Sequence, residues 1–170
     1  MRLRVRAVVE RLLEFVAVAL VLALTIEVIL GVGFRKFGAS LGWYDEIASV
    51  TLAWLTYYGA ALAALKRAHI GVPNLLYALK PKFRLPLAIL GEFLVLAFFA
   101  FLAWTGWLVL DVLATDTLVS LPDISVKYTQ SAIPIGAVFF VIAEALIIPD
   151  VIAEARSGRR ADEPAAEQRA

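Results

Sequence analysis

No cysteine occurs in the chain, and histidine and methionine occur once each. Disulfide exchange, thiolate nucleophiles and iron–sulfur ligation are therefore excluded. His69 and Met1 alone cannot supply a bis-histidine haem, and a histidine-rich zinc site has no second imidazole to draw on. No Gly-x-Ser-x-Gly elbow and no Walker-type glycine-rich loop is present, so nothing points to a serine hydrolase or a nucleotidase. No catalytic residue, cofactor site or metal site is expected, and the chain reads as a non-enzyme. Charge is scarce as well. Only 18% of residues are charged against 62% hydrophobic, with a mean hydropathy of +0.84, which is outside the range of a soluble domain.

What fills the chain is four long apolar stretches, at about residues 12–34, 47–65, 87–110 and 131–148. A membrane-crossing helix needs about 20 such residues, and none of the four alternates apolar and polar positions as a barrel strand does. The fold class is all-α integral membrane, with four transmembrane helices forming one domain over residues 1–150. The arginine-rich start, "MRLRVRAVVERLLEF", resembles the basic region of a signal peptide. The stretch behind it is span-length and ends in "FRKFG" without a small-residue cleavage site, which predicts an uncleaved signal anchor.

Basic residues divide unevenly among the connections. Four precede the first span, five lie between spans two and three, and four follow span four, whereas the opposite side has only Arg35, Lys36 and Lys127. The positive-inside rule then places both termini and the middle connection in the cytoplasm. The middle connection, "HIGVPNLLYALKPKFRLP", sets an apolar cluster among bases and prolines, and predicts a short amphipathic helix lying on the inner leaflet. Residues 151–170 are polar and rich in Ala, Glu and Arg, as in a disordered cytoplasmic tail.

The stretch "WYDEIASV" sets Asp45 and Glu46 at the threshold of the second span. Exposed backbone amides at a helix start favour negative charge there, and Trp43 and Tyr44 suit an interfacial aromatic belt. Glu14, Glu92 and Glu144 fall towards the cytoplasmic ends of their spans and Asp111 towards the outer end of its own, where interfacial placement accounts for them. Glu27 is the harder residue. It lies two turns before Arg35, about 12 Å along the axis, in an apolar helix, and should face protein. Gly59, Ala60, Ala63 and Ala64 would let another helix approach closely. His69 reads as a polar anchor at the membrane boundary.

Taken in order, Arg35, then Trp43 and Glu46, "WLTYYGAALA" with Gly59, "HIGV" with His69, "LP" at Leu121 and Pro122, Tyr128, and "IPIG" with Pro134 and Gly136 resemble the small permease, or Q subunit, of tripartite ATP-independent periplasmic (TRAP) transporters. The resemblance covers residues 35–136. It departs from the family pattern where Pro73 and Asn74 follow "HIGV" in place of an acidic residue. It implies a four-helix subunit that binds a large polytopic (M) permease. A periplasmic solute-binding (P) protein delivers an organic acid, and an ion gradient, commonly sodium, drives uptake. It further implies that Glu46 and Arg35 lie at the periplasmic face, holding the first two helices together or meeting a partner. Arg35, Trp43, Asp45, Glu46, Gly59, His69, Pro134 and Glu27 are the residues singled out for structural or partner contact. The competing reading is a self-sufficient proton-coupled exporter, a four-helix homodimer with Glu14 or Glu27 carrying the proton. The long basic and acidic connections suit a partnered scaffold better. No feature suggests nucleic acid as a ligand.

Overall fold

The structure, a computed structural model, describes residues 2–68 and 80–157. Five α-helices account for nearly all of it: α1 (Arg2–Lys36), α2 (Tyr44–Leu65), α3 (Pro81–Val112), the single-turn α4 (Val126–Gln130) and α5 (Ala132–Ser157). Four segments, Arg2–Lys36, Tyr44–Leu65, Lys82–Thr115 and Val126–Ser157, are long and apolar enough to cross a membrane. Among the described residues there is no β-strand, only an isolated antiparallel bridge between Thr117 and Ser125. The amphipathic helix expected between spans two and three falls on residues 69–79, outside the described residues, as does His69.

The helices overrun the apolar stretches that mark them. α1 contains no proline and starts at Arg2, ten residues before the apolar run, because Arg, Val, Leu and Glu all propagate a helix well. It stops at Gly38, whose φ of +77° turns the chain left-handed. There the amide of Ala39 donates to the carbonyl of Phe34 (3.0 Å) and that of Gly38 to Arg35 (3.1 Å), which satisfies two of the last carbonyls. α2 ends with the same pair of bonds, Ala68 to Ala63 (2.8 Å) and Arg67 to Ala64 (2.9 Å). There Arg67, not glycine, takes the left-handed position, at φ +56°. Proline opens α3 at Pro81, where no amide bond is lost, and α5 continues through Pro149 to Ser157.

The helices are arranged in a row, not a closed bundle. α1 packs on α2, α2 on α5 and α5 on α3, while α1 touches α5 only at one end. α5 is the central element, burying Ala132, Pro134, Gly136, Ala137, Phe140, Ala143, Glu144, Ile147, Glu154 and Ala155. The core joins Leu13 of α1, Tyr58, Ala61, Ala64 and Leu65 of α2, and Phe140, Ala143 and Ile147 of α5. Phe99 of α3 stacks on Phe140 with ring centroids 3.6 Å apart. By contrast α1 buries only Leu13 and Gly31, and α3 exposes Phe93, Phe98, Phe101, Trp104 and Trp107.

Candidate functional site

Polar side chains gather at the two ends of this row, and each end is built differently. At the end holding the two interhelical connections 37–43 and 113–131, the links include side chain to backbone bonds, a side-chain pair of Arg35 with Tyr44, and an ion pair of Lys127 with Asp111 (3.4 Å). Glu46, in the first turn of α2, accepts the amides of Val119 (3.0 Å) and Ser120 (2.7 Å) and so ties the loop after α3 onto α2. That loop is closed on itself by the bonds of Leu118 to Ile124 (2.9 Å) and Val126 to Asp116 (2.9 Å). Arg35 is hydrogen-bonded to the Tyr44 hydroxyl, and its guanidinium lies 5.3 Å from the centre of the Tyr44 ring. Glu46 thus grips the loop beyond α3, and the α1–α2 link is made by Arg35 with Tyr44. Asp45 and Trp43 are exposed, Trp43 at the helix cap and Asp45 in the first turn. A shallow groove of about 440 Å³ opens beside Glu46, lined also by Ser49, Tyr57, Leu118, Gln130 and Ile133.

The helix seams depend on small residues. A Cβ on Gly136 would lie 2.5 Å from Cβ of Tyr57, and one on Gly106 would lie 3.2 Å from Pro134, which is fully buried. Gly31 lies directly under the Tyr44 ring. Gly59, which sequence marked for close approach, faces open space, and the tight contacts of α2 are made by Ala61 and Ala64. Trp54 donates its indole N–H to the carbonyl of Thr129 (3.0 Å), fastening α2 to α4 just before α5, and stacks on Tyr58.

At the opposite, basic end the links are ion pairs between helices. Arg2 and Arg6 reach Asp150 of α5 at 2.6 and 3.0 Å, and Arg6 also donates to the Leu65 carbonyl. Lys66 pairs with Glu14 and, at 3.5 Å, with Glu10. The hydrogen bond to Glu14 holds the Lys66 ammonium above its usual range, with Glu10 adding to the effect. Arg67 makes a bidentate pair with Glu154, one bond being 2.7 Å, and Glu154 is only 8% exposed. Arg67 therefore tolerates a backbone conformation that disfavours side chains, at about 1–2 kcal/mol, because it places the guanidinium against α5.

Within the apolar layer, Glu27 accepts a long hydrogen bond from Thr51 of α2 (3.5 Å), and among the described residues no donor reaches its other oxygen. It therefore faces this chain's own second helix. Glu144 is 9% exposed on α5, and on α3 the Oε2 of Glu92 is enclosed by protein. Among the described residues, no group of three or more His, Asp and Glu side chains is placed to hold a metal ion.

Four apolar helices thus stand in a row, tied together by polar links at both ends. Residues 24–151 match the family model described as "Tripartite ATP-independent periplasmic transporters, DctQ component". The chain belongs to the DctQ family. It is accordingly a small component of a TRAP transporter and a multi-pass membrane protein. The match takes in the last third of α1, which carries Glu27 and Arg35, the whole of α2 and α3, and α5 as far as Val151. No curated protein matches the sequence closely enough to serve as a relative.

Arg35, Glu46, Pro134 and Glu27 are thus all engaged within the DctQ chain, whereas Trp43, Asp45 and Gly59 lie open. Sequence reasoning missed Tyr44, Arg67, Asp150 and Glu154. A signal was present in the isolated acids Asp150 and Glu154 just past the last apolar run, facing a chain otherwise rich in arginine at that end.

Proposed function

We propose that the chain is the non-catalytic small membrane subunit that scaffolds the large permease of a secondary TRAP transporter. A periplasmic solute-binding protein supplies an organic acid, and an ion gradient, sodium in the first instance, drives its uptake. The observation that carries this reading is the open row. α1 and α3 stand at its two edges with broad apolar faces uncovered, including Phe15, Val18 and Leu22 on α1 and Phe98, Phe101 and Trp104 on α3. A body of this shape offers a large polytopic partner an extended wall, and its end-to-end fastening lets that wall stay fixed while the partner moves. At the basic end Arg2, Arg6, Lys66 and Arg67 are spent on links between helices, which suits a support better than a conduit. In this reading the subunit lies in the bacterial inner membrane with both termini in the cytoplasm, following its basic connections.

The test is purification of the tagged chain in mild detergent, mass spectrometry of what accompanies it, and reconstitution of the product for uptake. Recovery of a large permease, with sodium-dependent organic-acid uptake that also needs a soluble binding protein, is the expected result. A lone homodimer that exchanges cations for protons would overturn the reading and favour the exporter.

A further inference from the structure

A narrow groove runs along the seam between α3 and the α4–α5 junction, at the loop end of the row. It holds about 230 Å³ and is walled by Leu102, Gly106, Val109 and Leu113 of α3 and by Gln130 and Ile133. From Leu102 to Leu113 it follows α3 for three turns, about 16 Å. The Thr105 hydroxyl in its wall is spent on its own helix, donating to the Phe101 carbonyl (2.9 Å), so the groove is apolar along most of its length. Val109 is 49% exposed, and the groove therefore opens outwards. A helix about 10 Å across is too thick for such a space, whereas a single hydrocarbon chain fits it.

The end of the groove nearest the loops is charged. Asp111, next to the wall residue Leu110, pairs across the seam with Lys127, one turn before Gln130, at 3.4 Å. Both residues sit near the ends of the membrane-crossing segments Lys82–Thr115 and Val126–Ser157, at the depth of lipid headgroups. The contact is long for a charge-assisted bond, and the Asp111 side chain is 80% exposed. An ammonium has three donors and a carboxylate about four acceptor sites, so this one contact uses little of either. In the stretch 111–131 three acids, Asp111, Asp116 and Asp123, stand against the single base Lys127. That balance repels a headgroup of net negative charge and suits one that carries a cation beyond its phosphate.

We propose that the groove binds one zwitterionic phospholipid, a phosphatidylethanolamine: an acyl chain lies along α3, the phosphate meets Lys127 and the headgroup ammonium meets Asp111. A lipid tail gains no hydrophobic energy by leaving the bilayer for an apolar groove, so selection rests on the headgroup contacts and retention also on the fit of the tail. The bound lipid stands beside the Gly106–Pro134 contact and braces the edge helix at its seam with α5. This chain alone forms the site, which holds whatever partner the subunit has.

Native mass spectrometry of the full chain, purified in a detergent that strips bulk lipid and titrated with dioleoyl phosphatidylethanolamine or dioleoyl phosphatidylglycerol, counts the lipids retained and ranks their affinities. The expected result is one phosphatidylethanolamine held about fivefold more tightly than phosphatidylglycerol, the worth of one exposed charge contact. Asp111→Asn should abolish that preference, Lys127→Gln should weaken both lipids, and Val109→Trp, which fills the groove, should release both. Lys36→Gln, which removes a base of α1 at the same end, should change nothing. The Asp111–Lys127 pair lies at the surface, so its neutral variants keep the fold and decide the question even if Val109→Trp does not. Equal retention of the two lipids by the parent chain would overturn the proposal, reducing the contact to ordinary bilayer lipid. A preference that survives Asp111→Asn, or an equal loss in Lys36→Gln, would also overturn it. Lipid binding unchanged in a folded Val109→Trp chain that has lost a co-purifying permease would give the groove to a protein partner instead.

Discussion

Replacing Gly136 by alanine tests the packing of the row at its tightest point. The added methyl would lie 2.5 Å from Cβ of Tyr57, an atom at the root of its side chain that no rotamer change can move away. Since carbon atoms rest about 3.5–4.0 Å apart, α2 and α5 would have to separate by about 1 Å locally. Overpacking of this kind costs about 1–3 kcal/mol. An approach of 2.5 Å belongs to the upper half of that range, about 2–3 kcal/mol, and alanine recovers close to 1 kcal/mol over glycine in a helix interior, so the net loss is about 1–2 kcal/mol. For a chain of this size that corresponds to a fall of roughly 2–8 °C in Tm. Trp54 lies one turn from Tyr57 on α2, so intrinsic fluorescence during heating in detergent reports the seam. Gly59→Ala is the control, because a Cβ there meets nothing within 4 Å and the change should be neutral or stabilising. A Gly136→Ala protein as stable as its parent would refute the argument, as would a Gly59→Ala protein that is the less stable of the two.

Phe140→Ala removes a buried ring that stacks on Phe99 and should cost about 3–5 kcal/mol, measured by the same melts; a loss below 1 kcal/mol would mean that α3 is held elsewhere. Arg67→Ala strands the buried Glu154 and should cost up to about 3 kcal/mol, with little further loss when Glu154→Gln is added, whereas additive losses would show that the two residues act separately. Lys66 binds its proton more tightly in the folded chain than when unfolded. Its contribution is therefore complete below the ordinary lysine range and fades as pH rises through the folded value, so Glu14→Gln should flatten the alkaline limb of a stability profile. Glu46→Gln turns one acceptor of the Val119 and Ser120 amides into a donor, so hydrogen exchange at those amides should quicken, with lower yield of the assembled transporter; normal yield with lost uptake would instead indicate docking.

Hydropathy made the four helices legible, because burying or lipid-facing segments of that length have one stable backbone solution. The order of the helices in space was not legible. Apolar residues surround each span on most sides, so no stripe distinguishes the face of α5 that meets α3 from a face that meets lipid. Gly59 and Gly136 show why. Both are glycines in apolar helices, yet only Gly136 lies under a neighbour, and the difference resides in how α2 and α5 cross. Arg35 and Glu46 were legible as important through resemblance, but their partners were not. Tyr44 was read only as a belt residue, and the Glu46 partners are backbone amides, which carry no signature in a sequence. Glu144 was legible as a charge within a span but not as a buried one, because its burial depends on which helices cover α5.

The two kinds of fastening divide the labour along the row. At the basic end, Arg6, Lys66 and Arg67 reach between helices that sequence separates widely, so α1, α2 and α5 converge there into a three-way junction around Leu13 and Leu65. At the loop end, Glu46 holds a self-bonded loop against α2, and Trp54 holds the residue that leads into α5. α3 is joined to α5 by aromatic stacking and by the Gly106–Pro134 contact, and to α4 by the pair of Asp111 with Lys127 (3.4 Å). The edge helix with a broad uncovered aromatic face is thus held to the row chiefly by its seam with α5. If a partner bears on α3, its pull passes to α5 through the Phe99–Phe140 stack and the Gly106–Pro134 contact.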